Sequence, residues 1–298
     1  VTRRHGSGDT AEVAGERVRT GNYAGAVIAM GTMHGKERQV APAFADTLGA
    51  HVIAPAGIDT DQFGTFTAEV ARPLTPLATA TAKARLGMYA GGVPYGLASE
   101  ASYDTWFGTV VVHEEILVFV DDTRDIQVAE SVNTPGSPGV PQLVDTADQA
   151  VAAARRFGFP SQAAVVRANV NDGWRVIGKG ITDTRILVKA VAAAAAAGDN
   201  RQVCVEPDLR AHHNPTRRDV LIALARRLAR RLATPCPECG CPGYGKIGAR
   251  AGLPCQVCGW PTAAIAADIH GCPACEHRDS VARAAAAAEP HCCPQCNP

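Results

Sequence analysis

Eight of the eleven cysteines in this 298-residue chain form four Cys-x-x-Cys pairs, Cys236/Cys239, Cys255/Cys258, Cys272/Cys275 and Cys293/Cys296, all within the last 63 residues. Two cysteines three positions apart on a tight knuckle can occupy two corners of a tetrahedron, and a returning hairpin brings the other two. Fifteen residues separate the first pair from the second and seventeen separate the third from the fourth, so each half has the spacing of a zinc ribbon. The expectation is two closed four-thiolate sites holding two structural Zn2+ ions; the spacing leaves open whether the pairs combine in sequence or interleave. Cys241 and Cys292 lie beside the pairs as spare thiols, and Cys292 could replace Cys293. His270 and His291 are weaker substitutes. Cys204, between Val203 and Val205, reads as a small buried hydrophobe.

A disulfide framework is the competing use of so many thiols, but such frameworks are typical of secreted chains, and residues 1–20 are polar, without a signal-like apolar core. A cytoplasmic setting is therefore expected, with residues 1–20 a loose leader. Twenty-nine basic residues balance 29 acidic ones, as in an ordinary soluble protein. No apolar run reaches the roughly 18 residues of a membrane span, so no membrane partner is expected.

A closed four-thiolate site keeps no position for water, which makes it structural. Such a module can grip nucleic acid, bind a protein partner or cap the chain. Residues 201–298 carry twelve Lys or Arg against eight Asp or Glu, a surplus of four. Two zinc ions with eight thiolates remove about that surplus, which argues against a strong phosphate-binding surface there.

The rest of the chain reads as α/β. A parallel or mixed sheet with helices on both faces is expected over 21–133, a linker over 134–141, a smaller α/β domain over 142–233 ending in an Arg-rich helix, and the zinc ribbons over 234–298. Residues 24–30 form a continuous apolar run suited to a strand buried on both faces. Helical spacing at 36–48, a strand at 51–54 and a helix at 75–90 follow, then strands at 95–98 and 116–120. In the second region, helices are expected at 146–157 and 184–197, and strands at 163–168, 175–178 and 202–205. The last helix opens with Asn214-Pro215, a capping residue followed by a proline whose missing N–H costs nothing there. It carries Arg226, Arg227, Arg230 and Arg231.

The first strand runs into Gly31-Thr32-Met33-His34-Gly35-Lys36-Glu37 at the start of a helix. Hydroxyl, glycine and lysine in such a turn can hold phosphate, although the pattern is not a P-loop. The polar loop at 59–69 follows, with Asp59, Asp61 and Glu69, then Arg72, Lys83 and the run Gly96-Leu97-Ala98-Ser99-Glu100. This arrangement assigns Thr32, Lys36, Arg72, Lys83 and Ser99 to a phosphorylated ligand, and His34, Lys36, Glu37, Glu69 and Glu100 to catalysis, with the carboxylates placing Mg2+ and His34 or Glu69 orienting water. A second polar constellation, Glu206-Pro207-Asp208-Leu209-Arg210-Ala211-His212-His213, joins a strand end to a helix start. Adjacent histidines point different ways on a regular element, so one of the two at most is expected in a site.

Strand, Thr-x-His-x-Lys-Glu, the helix Ala80-Thr81-Ala82-Lys83-Ala84-Arg85 and Gly-Leu-Ala-Ser-Glu together resemble the house-cleaning inosine/xanthosine triphosphate pyrophosphatases over residues 24–122. The resemblance implies that Thr32 and Lys36 touch phosphate, that Lys83 matches the family's second lysine and that Glu100 matches its metal carboxylate. His34 stands where that family has asparagine, and Ala98-Ser99-Glu100-Ala101 replaces Asp-Asp-Ser-Gly. Glu206-x-Asp208-x-Arg210 is similar to the metal-binding Glu-x-Asn-x-Arg of ATP-grasp ligases. The whole chain, through Asp-Thr-Asp-x-Phe-Gly-Thr-Phe, Arg-Ala-His-His-Asn-Pro-Thr-Arg and the terminal Cys-Pro-x-Cys-Asn-Pro, resembles an uncharacterised bacterial family of unknown function with C-terminal zinc ribbons. Magnesium-dependent hydrolysis of a phosphorylated small molecule, a nucleotide above all, is the first functional expectation. A non-enzymatic adaptor or nucleic-acid-binding protein is the second, although three Trp, five Tyr and seven Phe offer few stacking rings.

Overall fold

The computed structural model describes residues 22–65, 69–106, 110–136, 139–171, 173–199 and 201–298. The expected leader at 1–20, Phe66, Thr67 and Ala68 of the polar loop, Ser137 and Pro138 of the linker, and Asp172 of the Asn171–Gly173 turn lie outside them. The fold is mixed α/β, with both four-cysteine groups near the C-terminus.

The apolar run forms β1 (Val27–Met30), followed by α1 (Glu37–Leu48), β2 (His51–Ile53) and α2 (Pro76–Gly91). Helix α2 begins where expected because the Thr75 hydroxyl accepts from Ala78 N and Pro76 follows it; Gly92, at φ +61°, ends it. Strands β3 (Tyr95–Trp106), β4 (Val110–Asp121) and β5 (Ile126–Pro135) complete a sheet of order β2-β1-β3-β4-β5. β1 is parallel to β2 and β3, while β3, β4 and β5 are antiparallel. β3 and β4 are much longer than their apolar runs, because an unbroken register from Tyr95↔Asp121 to Trp106↔Val110 satisfies the backbone whatever the side chains. β5 was not anticipated; its polar residues Glu130, Ser131 and Asn133 hide the alternation of Ile126, Val128 and Val132.

Side chains alternate across β3 and β4. Leu97, Leu117 and Phe119 face one core with α1, and Ala98, Ile116, Val118 and Val120 face the other with α2. Helix α2 approaches β1 very closely. A Cβ on Gly31 would lie 1.8 Å from the Lys83 carbonyl oxygen, and one on Gly87 would lie 2.8 Å from Gly31 N. Glycine at both positions brings Lys83 beside the β1–α1 turn.

The second unit contains β6 (Gln142–Val144), α3 (Ala147–Arg156), β7 (Ala164–Val170), β8 (Gly173–Ile181), α4 (Thr184–Ala197) and β9 (Val203–Pro207). Its sheet, β6-β9-β7-β8, is wholly antiparallel, and α3 and α4 pack on it. Thr146 and Gln149 form a capping box at α3, and Asp183 caps α4.

Helix α5 (Pro215–Leu232), expected to close the middle domain, packs on the first sheet instead. Leu221, Leu224, Leu228 and Leu232 share a core with Ile28, Phe44, Leu117 and Phe119. Its first turn is fastened by Arg217, 1% exposed, which donates through Nε (2.8 Å) and an Nη (3.0 Å) to the fully buried Glu115 of β4. His113 Nε2 lies 3.1 Å from the same carboxylate. Burial alone would raise the Glu115 pKa, but Arg217 and His113 overcome it and hold the group down at about 2. The chain ends in a three-stranded antiparallel sheet of β10 (Gly245–Ala251), β11 (Ile265–Gly271) and β12 (Arg278–Ala282).

Glu115→Ala leaves a buried guanidinium without its counter-charge and is expected to cost about 3–5 kcal/mol in urea unfolding at pH 7, whereas pairing it with Arg217→Met should recover much of that loss. The ion pair's contribution is complete above the ordinary carboxylate pKa of 4.5 and is lost as pH falls toward about 2.

Candidate functional site

The two polar constellations meet in one cleft. Gly31, Thr32, His34 and Lys36 of the β1–α1 turn form one wall, Thr60, Asp61 and Thr65 a second, and Lys83 and Glu100 the floor. Lys179, Arg210, Ala211 and Arg217 close it from the far side. The open volume is about 40 Å³. At roughly 10–15 Å³ per water, that is space for about three waters or one phosphoryl group.

The turn is shaped locally. Gly31 N donates to Leu97 O, the Thr32 hydroxyl accepts from His34 N, and Gly35 takes φ +69°, a conformation that favours glycine. Lys36 opens α1 and reaches across to Ser99, donating to its Oγ (3.1 Å) and carbonyl oxygen (3.3 Å). Burial first and then Arg217 bring the Lys36 pKa down to about 8 against the opposing pull of Glu115 and Glu100. Glu100, 3% exposed, accepts from Lys83 Nζ at 2.6 Å through one oxygen and from Arg72 through the other. Burial would raise its pKa, but Lys83, Lys36 and Arg72 hold it below the usual carboxylate range. On the far wall, Arg210 is bidentate on the buried Asp208, which also accepts from Gly180 N.

His34 Nε2 lies 3.3 Å from Asp61 Oδ1, and its ring stacks on His212 at 4.5 Å. His213 lies 4.0 Å beyond His212, centroid to centroid, and neither ring lines the cleft itself. They sit on a single 3-10 turn, Ala211–His213, tight enough to keep neighbouring rings in contact. Burial holds His34 below its usual pKa against the pull of Asp61. His212 is pushed down to about 3, by burial first and then by His213 and His34.

Of the residues assigned from sequence, Thr32, His34, Lys36, Lys83 and Glu100 line the cleft, Ser99 holds Lys36, and Arg72 stands behind Glu100. Glu37 and Glu69 are placed differently. One oxygen of Glu37 is buried without a hydrogen bond, and its nearest cation is Arg38 at 3.7 Å. Glu69 lies at the surface, 2.7 Å from Lys179. The three carboxylates assigned to Mg2+ do not converge: among the described residues, only the cysteine groups bring three or more potential ligands within 4.8 Å of one another. Thr60 and Thr65 belong to the polar loop at 59–69 that the sequence marked, whereas it gave no role in this site to Lys179 or Arg217. Only the tertiary approach of β8 and α5 brings the latter two there.

The cysteines form two groups that interleave. Cys236, Cys239, Cys272 and Cys275 make one, and Cys255, Cys258, Cys293 and Cys296 the other. The cause is the strand order. Antiparallel β10 and β11 pair Gly245 with Gly271, so the knuckle before β10 meets the knuckle after β11. Ala251 pairs with Ile265 and Ala267 with Ala282, so the knuckle after β10 meets the one after β12 at the opposite end. Sulfur–sulfur separations between knuckles are 3.8 and 3.6 Å in the first group and 3.9 and 3.6 Å in the second. Tetrahedral Zn–S bonds of about 2.3 Å require edges of about 3.8 Å. Each group could therefore hold a structural zinc ion. Cys293 supplies the fourth knuckle while Cys292 is exposed, and Cys241 packs against the first core.

Residues 83–298, well over half the chain, match a family model described as Domain of unknown function (DUF6671). The chain belongs to that family. The DUF6671 match contains both cysteine groups and the floor and far wall of the cleft, while the β1–α1 turn and Asp61 precede it. No curated protein matches the chain. Among the described residues no helix is long and apolar enough to cross a membrane.

The interleaved pairing makes a prediction that sequential ribbons reverse. Replacing Cys239 and Cys272 by serine together should remove one zinc per chain, and replacing Cys239 and Cys258 together should remove both, measured by elemental analysis of the purified variants.

Proposed function

We propose that the cleft binds the phosphoryl group of a small molecule, a nucleotide in the form suggested by the likeness to house-cleaning pyrophosphatases, and hydrolyses it. The observation that carries this reading is the convergence of Lys36, Lys83, Lys179, Arg210 and Arg217 on a space of about 40 Å³ lined, among the described residues, by two carboxylates, Asp61 and Glu100. Cations held by buried partners are pre-oriented, so an anion entering a water-poor cleft meets a field that needs no rearrangement. The volume suits the phosphoryl group, with the remainder of the ligand outside.

His34 supports the hydrolytic half of the reading. Its lowered pKa keeps the imidazole neutral near pH 7, and Asp61 can orient it, so the ring can take a proton from an attacking water. The water oxygen bonds to phosphorus as the bond to the leaving oxygen breaks, and solvent returns a proton to the leaving group. Mg2+ usually binds through one or two carboxylates plus substrate phosphates. In this reading Asp61 would hold it together with the ligand's phosphates. Glu100, already committed to Lys83 and Arg72, keeps the cations in place rather than holding metal.

Binding without turnover is the second reading, favoured by that same commitment of Glu100. The two zinc ions are structural in either case, and the zinc module would recruit a protein or nucleic-acid partner.

Lys36→Ala should abolish the thermal shift produced by nucleoside triphosphates with magnesium, while His34→Asn should keep the shift and lose roughly 10²–10⁴-fold in phosphate or pyrophosphate release. Wild-type protein with neither response would overturn the proposal, and a shift without release would select the second reading. Because anion binding needs the Lys36 ammonium, affinity should fall as pH rises through about 8, measured by titration calorimetry.

A further inference from the structure

A second, larger concavity shares no lining residue with the cleft. Its volume is about 850 Å³, and it lies where the last turns of α5, the middle of β5 and the start of β10 meet. Arg227, Arg230 and Arg231 project from α5, Lys246 and Tyr244 come from the zinc module, and His270 from β11.

The carboxylates here are outnumbered. Glu130 serves two guanidinium groups, accepting from Arg227 and from Arg231 (2.9 Å). Asp268 likewise lies 2.8 Å from both Lys246 and Arg283. Arg230 is exposed and makes no ion pair among the described residues. With Asp279, which accepts from Tyr244 at 2.6 Å, three carboxylates thus face five cations at and beside the groove among the described residues. The near-neutral total of residues 201–298 conceals this segregation, and no cysteine lines the groove. Arg231 also donates to the carbonyls of Ala129 and Gly243, so the basic wall is anchored to both β5 and the zinc module. Tyr244 and His270, with ring centroids 6.0 Å apart, add aromatic surface to it.

We propose that this groove binds the backbone of a single-stranded nucleic acid. Surplus cations neutralise consecutive phosphates, and a concave lining with a tyrosine and a histidine can take unstacked bases, which a duplex does not present. The zinc module then forms one wall of a binding surface, with α5 as the other.

The test uses the zinc-loaded full chain and a fluorescein-labelled oligothymidylate in anisotropy titrations at several salt concentrations. Affinity should fall linearly in log–log form with salt, and joint Arg230→Ala and Lys246→Ala should weaken binding by roughly tenfold or more at low salt while reducing the slope by about 1.4, or 0.7 for each lost phosphate contact. Both side chains are exposed enough for the variant to keep its fold, which zinc content and circular dichroism check. Arg85→Ala, on an exposed ion pair with Asp122 away from the groove, should leave affinity unchanged. Absent binding at low salt, binding indifferent to the double substitution, or equal affinity for duplex DNA of the same length would each overturn the proposal.

Discussion

The bidentate pair between Arg217 and Glu115 joins parts of the chain about a hundred residues apart, and the rest of the architecture is arranged around it. Glu115 points from the interior strand β4 toward α5, and Arg217 lies in the first turn of that helix. Fastening this turn places the preceding segment, with Asp208, Arg210, His212 and His213, against the β1–α1 turn. The helix then runs along the first sheet and delivers the chain to the zinc module. Two charges taken out of water are costly unless fully paired. Here each of the three Arg217 nitrogens donates a hydrogen bond, two to Glu115 and the third to Leu209 O. The pair ties helix position to the register of β4.

The same economy of partners explains the cleft. Glu100 orients both Lys83 and Arg72, and Asp208 orients Arg210, so these three cations are held by buried carboxylates, while Lys179 pairs with Glu69 at the surface. Lys36 differs. Its direct hydrogen-bond partners are the neutral oxygens of Ser99, so its charge is compensated only at a distance and its proton is held less tightly. The stacked histidines bring the β1–α1 turn and the β9–α5 junction into contact. They bridge the first sheet and the second unit beside the cleft.

In the C-terminal module, the two four-cysteine groups sit at opposite ends of one small sheet. At about 3.4 Å per residue, seven-residue strands separate the ends by roughly 20 Å. Each group joins two knuckles from different strand connections, so neither half of the module can assemble its site alone. Fifteen-residue spacing permits a local ribbon, but a strand that fills the intervening segment carries the second knuckle away from the first. Spacing alone could not separate these outcomes, because it constrains chain length and not direction.

What was readable without coordinates was local. The cap at Asn214, the helix starts near 75, 146 and 184, the apolar β1 run and the Cys-x-x-Cys knuckles follow from short-range chemistry and appear at or within a few residues of their expected positions. Thr32, His34, Lys36, Lys83 and Glu100 could be nominated because a polar turn after a buried strand is unusual on its own. The full lengths of β3 and β4, the presence of β5, the placement of α5 on the first sheet, the partners of Glu37, Glu69 and Glu100, and the interleaving of the cysteines were decided by tertiary structure. Each depends on which distant segment supplies a hydrogen bond, a counter-charge or an apolar face, and sequence spacing carries no direction in space.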